Sequence, residues 1–323
     1  MSWLIDRFAD LHGWLFETVV APPLYWLDLS DWLEDAFTAT EIALVGLLQI
    51  ALAWLLIRPL ELWRPVAAPV AGDRRRVRDD VLYTLLERLG LVSLALFLVF
   101  SPAQAAVLAM LHERGIVPEP IEQLVPWLQN RPTVTFLVYL LAFDFVGYLV
   151  HRGQHAVGWW WQLHALHHSQ TRMTLWSDDR NHALDIVLRR AITAVVALAI
   201  GVPPEQFITL VLVSRLIESL SHANARLRFG WLGERVLVSP RFHRRHHAID
   251  ESGEARGVNF AVLFPVWDLL FATADLSRDY PGTGIASEAG MAPYRTGMFG
   301  QQAVGIRRML ARLTMRAAQP ASN

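Results

Sequence analysis

The sequence predicts an all-α integral membrane protein with about three transmembrane helices, a broken helical hairpin and a helical cap on the cytoplasmic side. Three observations predict it. Of 323 residues, 53% are hydrophobic and 18% charged, with a mean hydropathy of +0.29; ordinary globular domains run about 45–50% apolar and roughly 25% charged. Runs that reach the ~20 apolar residues needed to cross a bilayer fall at about 42–63, 87–111 and 133–151. Arginine is distributed unevenly between those runs, as short cytoplasmic loops require.

In chain order, residues 1–40 carry an apolar stripe (Trp3, Leu4, Phe8, Leu11, Trp14, Leu15) broken by Asp6, Arg7, Asp10 and His12. No basic segment precedes it and no small-residue cleavage site follows, so it reads as an interfacial helix and loop. Residues 41–132 hold the first two spans and their connections. Between these spans lie Arg64, Arg74, Arg75, Arg76 and Arg78, whereas the 112–132 connection sets Arg114 and Arg131 against Glu113, Glu119 and Glu122. The first connection is therefore expected inside and the second outside. The third span then delivers His151 to the cytoplasmic face. A fourth apolar region, 191–220, is interrupted by Gly201, Pro203 and Pro204, as either one bent span or a hairpin. Basic stretches on both sides of it (Arg172 to Arg190, Arg226 to Arg245) favour the hairpin, which enters and returns on one side. Residues 276–323 read as a Gly/Pro/Ser/Ala-rich loop and a basic amphipathic helix, with Val304, Ile306, Leu310 and Leu313 against Arg307, Arg308, Arg312 and Arg316.

A net charge of −1 gives no general attraction for nucleic acid. The 29 basic residues are all arginine, a feature of composition that carries no function. Without cysteine there can be no disulfide, thiolate zinc site, cysteine nucleophile or Cys-ligated iron–sulfur cluster.

Eight of the twelve histidines fall in three groups: His151/His155, His164/His167/His168 and His243/His246/His247. At ~100° per residue on a helix, positions i, i+3 and i+4 lie within an arc of ~100°, so each group directs its rings to one side. Neutral imidazole is the commonest protein metal ligand. Eight imidazoles exceed one tetrahedral or octahedral shell and suit two metals. HExxH zinc-protease chemistry needs a Glu beside the first His, and the residues between the histidines here are Arg-Gly-Gln, Ala-Leu and Arg-Arg. Nor is there the Glu plus Glu-x-x-His set of soluble di-iron bundles. The pattern indicates a histidine-only di-metal site in the cap.

HRGQH at 151, HALHH at 164 and HRRHH at 243, together with FDFVGYLVHR, Asn259-Phe260 and the 267–273 segment WDLLFAT, resemble the sterol desaturase / fatty acid hydroxylase family of integral-membrane di-iron enzymes. The similarity runs from about Phe143 to Thr273, inside a catalytic domain drawn at 133–275. The resemblance implies that the eight clustered histidines ligate iron and are catalytic. It adds His222 in SHAN and, at the place of the family's HPLE segment, His182 in RNHALD, where Ala183 and Asp185 replace the family's Pro and Glu. The implied cofactors are two iron ions, with O2 as co-substrate.

Metal-bound histidines usually pass their second N–H to a carboxylate or carbonyl. Asp144, seven residues before His151 on nearly the same helix face, is a candidate partner, with a packed hydrogen bond between helices as its alternative. Asp185, Glu218 and Asp268 have the same standing. Trp159, Trp160 and Trp161 read as an interfacial belt.

The function expected is an O2-dependent hydroxylation or desaturation of a lipid C–H bond, in a sterol or fatty acyl chain. A headgroup monooxygenase of an ether lipid or amino lipid is the alternative within the superfamily. Gly282-Thr283-Gly284 lacks the rest of a dinucleotide site, so electrons are expected from an external reductase, ferredoxin or cytochrome. Arg241, Arg244 and Arg245 are candidates to dock an acidic carrier or lipid phosphate, or simply to obey the positive-inside rule. A metal transporter would place ligands along the middle of several spans, and a bis-histidine haem protein one histidine on each of two; neither matches triplets at helix ends. The expected location is the inner or plasma membrane of a bacterium, with the site facing the cytoplasm.

Overall fold

The computed structural model describes residues 2–70, 72–92, 94–95, 106, 109–110, 113–115, 119–249 and 257–317. Among these there is no β-strand, only the isolated bridges Pro65–Ala225 and Ala248–Thr283. The expected span at 87–111 lies largely outside the described residues, and so does His112.

The N-terminal stripe forms α1 (Ser2–Leu15), a π-helical turn (Phe16–Val20) and α2 (Ala21–Trp26). Trp3, Trp14 and Trp26 stay exposed, as an interfacial element requires. The first span extends further than its apolar run, as α3 (Leu33–Trp63). At 1.5 Å per residue this helix is long enough to cross a bilayer, as is α5 (Pro132–Ala156). Between them α4 (Asp73–Arg88) carries the arginine cluster.

The apolar region broken at Gly201 is a helical hairpin, α7 (Ala183–Ile200) and α8 (Pro204–Ser221). Gly201 closes α7 in the left-handed conformation (φ +61°), and a Cβ there would come within 2.4 Å of Glu119 O. Only glycine satisfies both demands. The turn packs beside Glu119, at the far end of α5 from the histidines. The outer ends of α7 and α8 both return to the histidines, through Asp185 and His222. Tyr139 and Leu140 of α5, Leu210 of α8 and Leu263 form the apolar core between these helices.

Five further helices are α6 (Gly158–His168), α9 (Gly230–Val236), α10 (Pro240–His246), α11 (Val266–Leu270) and α12 (Met298–Ala317). The basic C-terminal helix α12 is not wholly a surface element. It packs along α6 and buries Val304 with Tyr83, Leu166 and Tyr294, while Phe299, Leu310 and Leu313 remain exposed.

Several arginines, Arg180 of the counted basic stretch among them, are consumed inside the fold. Arg88 donates to Asp179 (2.6 Å) and Asp178 (3.0 Å), Arg180 to Asp80 (3.0 Å), and Arg215 to Asp179 and Glu87 (both 2.8 Å). Removing one partner of such a buried pair strands the other charge, so these pairs fix how α4, α8 and the 178–180 turn lie against one another.

Candidate metal centre

Four helix ends deliver the rings. The last turns of α5 carry His151 and His155 at i, i+4. The chain breaks at Val157 and restarts as α6, which presents His164, His167 and His168. His222 follows the last residue of α8. Ser239 caps α10 by accepting from Phe242 N (3.1 Å), Pro240 occupies its first turn, and His243, His246 and His247 follow. All nine rings are buried.

The nine divide into two groups whose ring nitrogens lie within 4.8 Å of one another: His151, His155, His164, His168 and His246, and His167, His222, His243 and His247. The triplets therefore do not each serve one focus. In HALHH the i, i+4 pair His164/His168 joins the first group while His167 turns to the second. In HRRHH the i, i+4 pair His243/His247 joins the second while His246 turns to the first. Positions i and i+4 are ~40° apart, whereas i+3 falls ~60° to the other side of i, so one helical turn feeds two adjacent centres.

The ring nitrogens show how a metal would fit. His151 Nδ1 donates to Phe260 O (2.9 Å), His246 Nδ1 to Val258 O (2.8 Å), His222 Nδ1 to Glu218 O (2.8 Å) and His164 Nδ1 to Asp185 (3.3 Å). These bonds fix the tautomer that leaves Nε2 as a lone-pair donor. The Nε2 atoms of His151, His164, His168 and His246 are buried without any protein partner, as are both nitrogens of His155. In the second group Nε2 of His222 lies 2.9 Å from that of His243 and 3.2 Å from that of His167, with His243 to His247 at 3.1 Å. A metal–nitrogen bond of about 2.1 Å puts neighbouring ligands of an octahedron ~3.0 Å apart, which matches these spacings. The donor set fits two metal ions of imidazole preference.

Burial and the neighbouring rings push His167, His168, His243 and His247 well below the usual histidine range, and burial takes His246 down to about 3. The folded state therefore holds these rings neutral, whereas the unfolded chain takes up protons near pH 6.5. With more protons bound by the unfolded state, stability falls as pH falls. Thermal unfolding of the chelator-treated protein is expected to change little with these rings above about pH 7 and to weaken progressively below about 6.5. A melting temperature constant from pH 7 to 5 would contradict the buried neutral rings.

His182 stands outside both groups. It caps α7: its Nδ1 accepts from Leu184 N (3.1 Å), and its Nε2 donates to Gln302 O (2.9 Å). With both nitrogens engaged, no lone pair is left for a metal. A Cβ at Gly305 would lie 2.4 Å from the His182 ring, so α12 approaches this residue through its glycine. His182→Ala is expected to leave the metal content unchanged and to lower stability by about 1–2 kcal/mol, read by elemental analysis and thermal unfolding. Loss of one metal ion would return His182 to the ligands.

Of the four acids, Asp185 alone meets a metal-facing ring directly through its carboxylate and its hydrogen bond. Besides His164 it accepts from Gln154 Nε2 (2.7 and 2.8 Å) and Trp160 Nε1 (2.7 Å). Burial raises its pKa, but the bonds and charge of His164 and its other neighbours prevail and hold it at about 2. Asp144 touches no histidine; it accepts from Leu263 N (2.8 Å), Phe264 N (3.1 Å) and Trp267 Nε1 (2.8 Å). Asp268 accepts from Phe260 N (2.9 Å) and Ala261 N (2.8 Å), and so reaches His151 only through the Phe260 carbonyl. Glu218 serves His222 with its backbone oxygen.

The docking role considered for the three arginines of α10 meets a structural obstacle. Arg241 pairs with buried Glu234, Arg245 with Asp275 and Asp279, and Arg244 is buried against Pro281 O. The tryptophans are not merely a belt either. Trp160 holds Asp185, and the Trp161 ring lies 4.9 Å from that of His155 and 5.2 Å from that of His168.

The sequence reading missed the carbonyls of Phe260, Val258 and Glu218, which carry no side-chain signal. It also missed Asp178, whose carboxylate stands 3.8 Å from His222 Nδ1 and is tied to Arg88; Asp178-Asp179 in a segment otherwise read as connection was the available sign. Gln154, inside the first histidine motif, was a second.

Among the described residues the chain is helical and gathers nine buried imidazoles at helix ends into two adjacent groups, each of which could hold a metal ion. Residues 136–273 match the fatty acid hydroxylase family, which supports the resemblance of this part of the chain to the sterol desaturase / fatty acid hydroxylase superfamily. It is similar to ornithine lipid hydroxylase OlsE of Rhizobium tropici, 31% identical over 136 residues that make up 42% of this chain and 40% of that protein. It is also similar to alkylglycerol monooxygenase of Caenorhabditis elegans, 28% identical over 172 residues, 50% of this chain and 31% of the relative. The matches thus span less than half the length of either relative. No solved structure matches significantly.

Proposed function

We propose that this protein is a membrane-bound, O2-dependent di-iron hydroxylase of a lipid, with His151, His155, His164, His168 and His246 holding one iron and His167, His222, His243 and His247 the other. The observation that carries the proposal is the pair of buried imidazole groups, the first with unpartnered Nε2 atoms on all five rings, the second with its four Nε2 atoms linked to one another at 2.9, 3.1 and 3.2 Å. Imidazole accepts several transition metals; the resemblance to the fatty acid hydroxylase family favours iron. Two iron ions in these positions would supply the O2 activation and hydrogen abstraction at an unactivated C–H bond that no side chain performs.

The chain's own residues do the rest. Carbonyls of Phe260, Val258 and Glu218 and the Asp185 carboxylate keep the rings in the tautomer that offers Nε2. Trp161, with Phe260 at 5.2 Å from His155 and 5.7 Å from His246, walls the first group with aromatic carbon and keeps water from its rings. The apolar helices hold the lipid tail in the bilayer and present its reacting end at the cap. Among lipid classes, an amino or ether lipid is favoured over the sterol or fatty acyl substrate that the motifs alone suggested, because both similar proteins are named for polar lipids of those kinds. Electrons come from a separate reductase, ferredoxin or cytochrome, and the site faces the cytoplasm, where such carriers are reduced.

The test is lipid mass spectrometry of cells with and without the gene, together with elemental analysis of anaerobically purified protein. A polar lipid gaining one oxygen and about two irons per chain are expected. In vitro, NAD(P)H alone is expected to give no turnover until a carrier system is added. A lipid losing two hydrogens would replace hydroxylation by desaturation. One tightly bound ion after iron reconstitution would end the di-metal reading.

A further inference from the structure

The chain between the last histidine group and the C-terminal loop does not stay in the cap. It leaves the metal centre at Phe260, whose carbonyl meets His151, and runs down the side of α5. Val262 packs at Gly147, and Leu263 joins Tyr139 and Leu140 of α5 and Leu210 of α8 in one core. Leu140 is eleven residues before His151, about 16 Å along the helix at 1.5 Å per residue; half the hydrocarbon thickness of a bilayer is about 15 Å. The segment then turns through α11 and climbs back. Phe271 stacks at 6.0 Å on Phe145 and at 5.5 Å on Tyr148, and Thr273 Oγ1 lies 3.1 Å from the Tyr148 hydroxyl.

Irregular backbone is tolerated at membrane depth only where protein satisfies its polar groups. Two buried acids do so here. Asp144, midway along α5, takes the N–H groups of Leu263 and Phe264 and the indole of Trp267. Asp268 takes those of Phe260 and Ala261 and the Thr273 hydroxyl. This accounts for an acid in the middle of an apolar helix that serves no histidine. The adjoining α9 is drawn to the same depth, because Val238 N donates to Leu263 O (2.8 Å). On the outer side of the unit Trp231 is 73% exposed, Leu270 67% and Leu232 64%, with Val236, Leu269 and Phe271 also open. Arg235 folds back over the Trp231 ring at 4.7 Å and bonds Trp231 O, as a residue at a membrane interface does.

We infer that α9 and the 260–273 segment form a re-entrant wedge that enters the bilayer from the cap side, with Trp231, Leu232, Val236, Leu269 and Leu270 facing lipid acyl chains. The occupant is lipid because the patch is continuous with the exposed apolar flank of α5, including Leu141. Neither helix is long enough for a hydropathy scan to register it. The inference rests on α5 crossing the membrane and on nothing about the metals.

The chain has no cysteine, so single-cysteine variants L232C, L270C, L141C and A286C can each carry one environment-sensitive fluorophore in the full-length protein, reconstituted in phosphatidylcholine vesicles. Quenching by lipids brominated on the acyl chain is compared with quenching by aqueous iodide. At 232 and 270 the brominated lipid is expected to quench several-fold more than iodide, as at 141, with the reverse at 286 in the exposed C-terminal loop. Iodide quenching at 232 and 270 with lipid quenching at 141 overturns the wedge alone. Iodide quenching at 141 as well overturns the spanning role of α5, and the wedge with it. Protection from both quenchers at 232 and 270 also overturns the inference, since a protein surface would then cover the patch.

Discussion

His155→Ala and His247→Ala are each expected to lower the bound metal from about two ions per chain to about one and to reduce turnover at least ~10³-fold, about 4 kcal/mol of barrier. The two positions come from different imidazole groups, so the metal lost should differ in spectroscopic signature between the variants while the consequence for activity is the same. The helices are held together elsewhere, by the Tyr139–Leu263 core and the Arg88–Asp179 pairs, and both variants are expected to insert and remain folded. His12 supplies the control. It is buried and its Nε2 donates to Phe37 O (2.9 Å), so His12→Ala is expected to cost about 1 kcal/mol of stability with turnover and metal unchanged. Anaerobic purification, elemental analysis and a turnover assay decide the matter. Equal loss of activity at 12, 155 and 247 would point to folding and remove the two-centre assignment.

Asp185→Ala is expected to weaken metal retention and turnover by 10–100-fold, the usual range for loss of a carboxylate behind a metal-binding histidine, or about 1.4–2.7 kcal/mol. It acts as a positioning residue, since its oxygens meet His164, Gln154 and Trp160. The loss should therefore fall on kcat and on the half-life of metal release to a chelator, with KM for the lipid little changed. Asp185→Asn keeps the shape but turns an N–H toward a set of donors, and is expected to fail as Ala does; Asp185→Glu should recover part of the activity. Unchanged chelator kinetics in the Ala variant would mean that His164 holds its tautomer without help.

Helical class, the apolar runs that become α3 and α5 and the histidines that cluster were legible from composition and spacing, because i, i+4 pairs at helix ends turn their rings to one side. Spacing alone reported direction but not destination. The two triplets look like one unit each, yet His167 and His246 leave their neighbours for the other centre, because which rings share a focus depends on how α6 and α10 are set against each other. The acids show the same limit. Asp144 and Asp185 are equally plausible by sequence distance from a histidine. Only the path of the 260–268 backbone gives Asp144 to Leu263 and Phe264, and only the approach of α7 to α6 gives Asp185 to His164.

By itself the sequence determined the chemistry on offer: many imidazoles, no thiols, and acids next to apolar runs. It also determined the turn at Gly201, where backbone conformation admits no other residue readily. Tertiary structure decided which lone pairs remain free. His182 has the residue type and the neighbourhood of a ligand, but the start of α7 and the carbonyl of Gln302, 120 residues away, use both of its nitrogens. A metal site is defined by the nitrogens left without a protein partner, and that remainder is fixed only when every other helix has taken its hydrogen bonds.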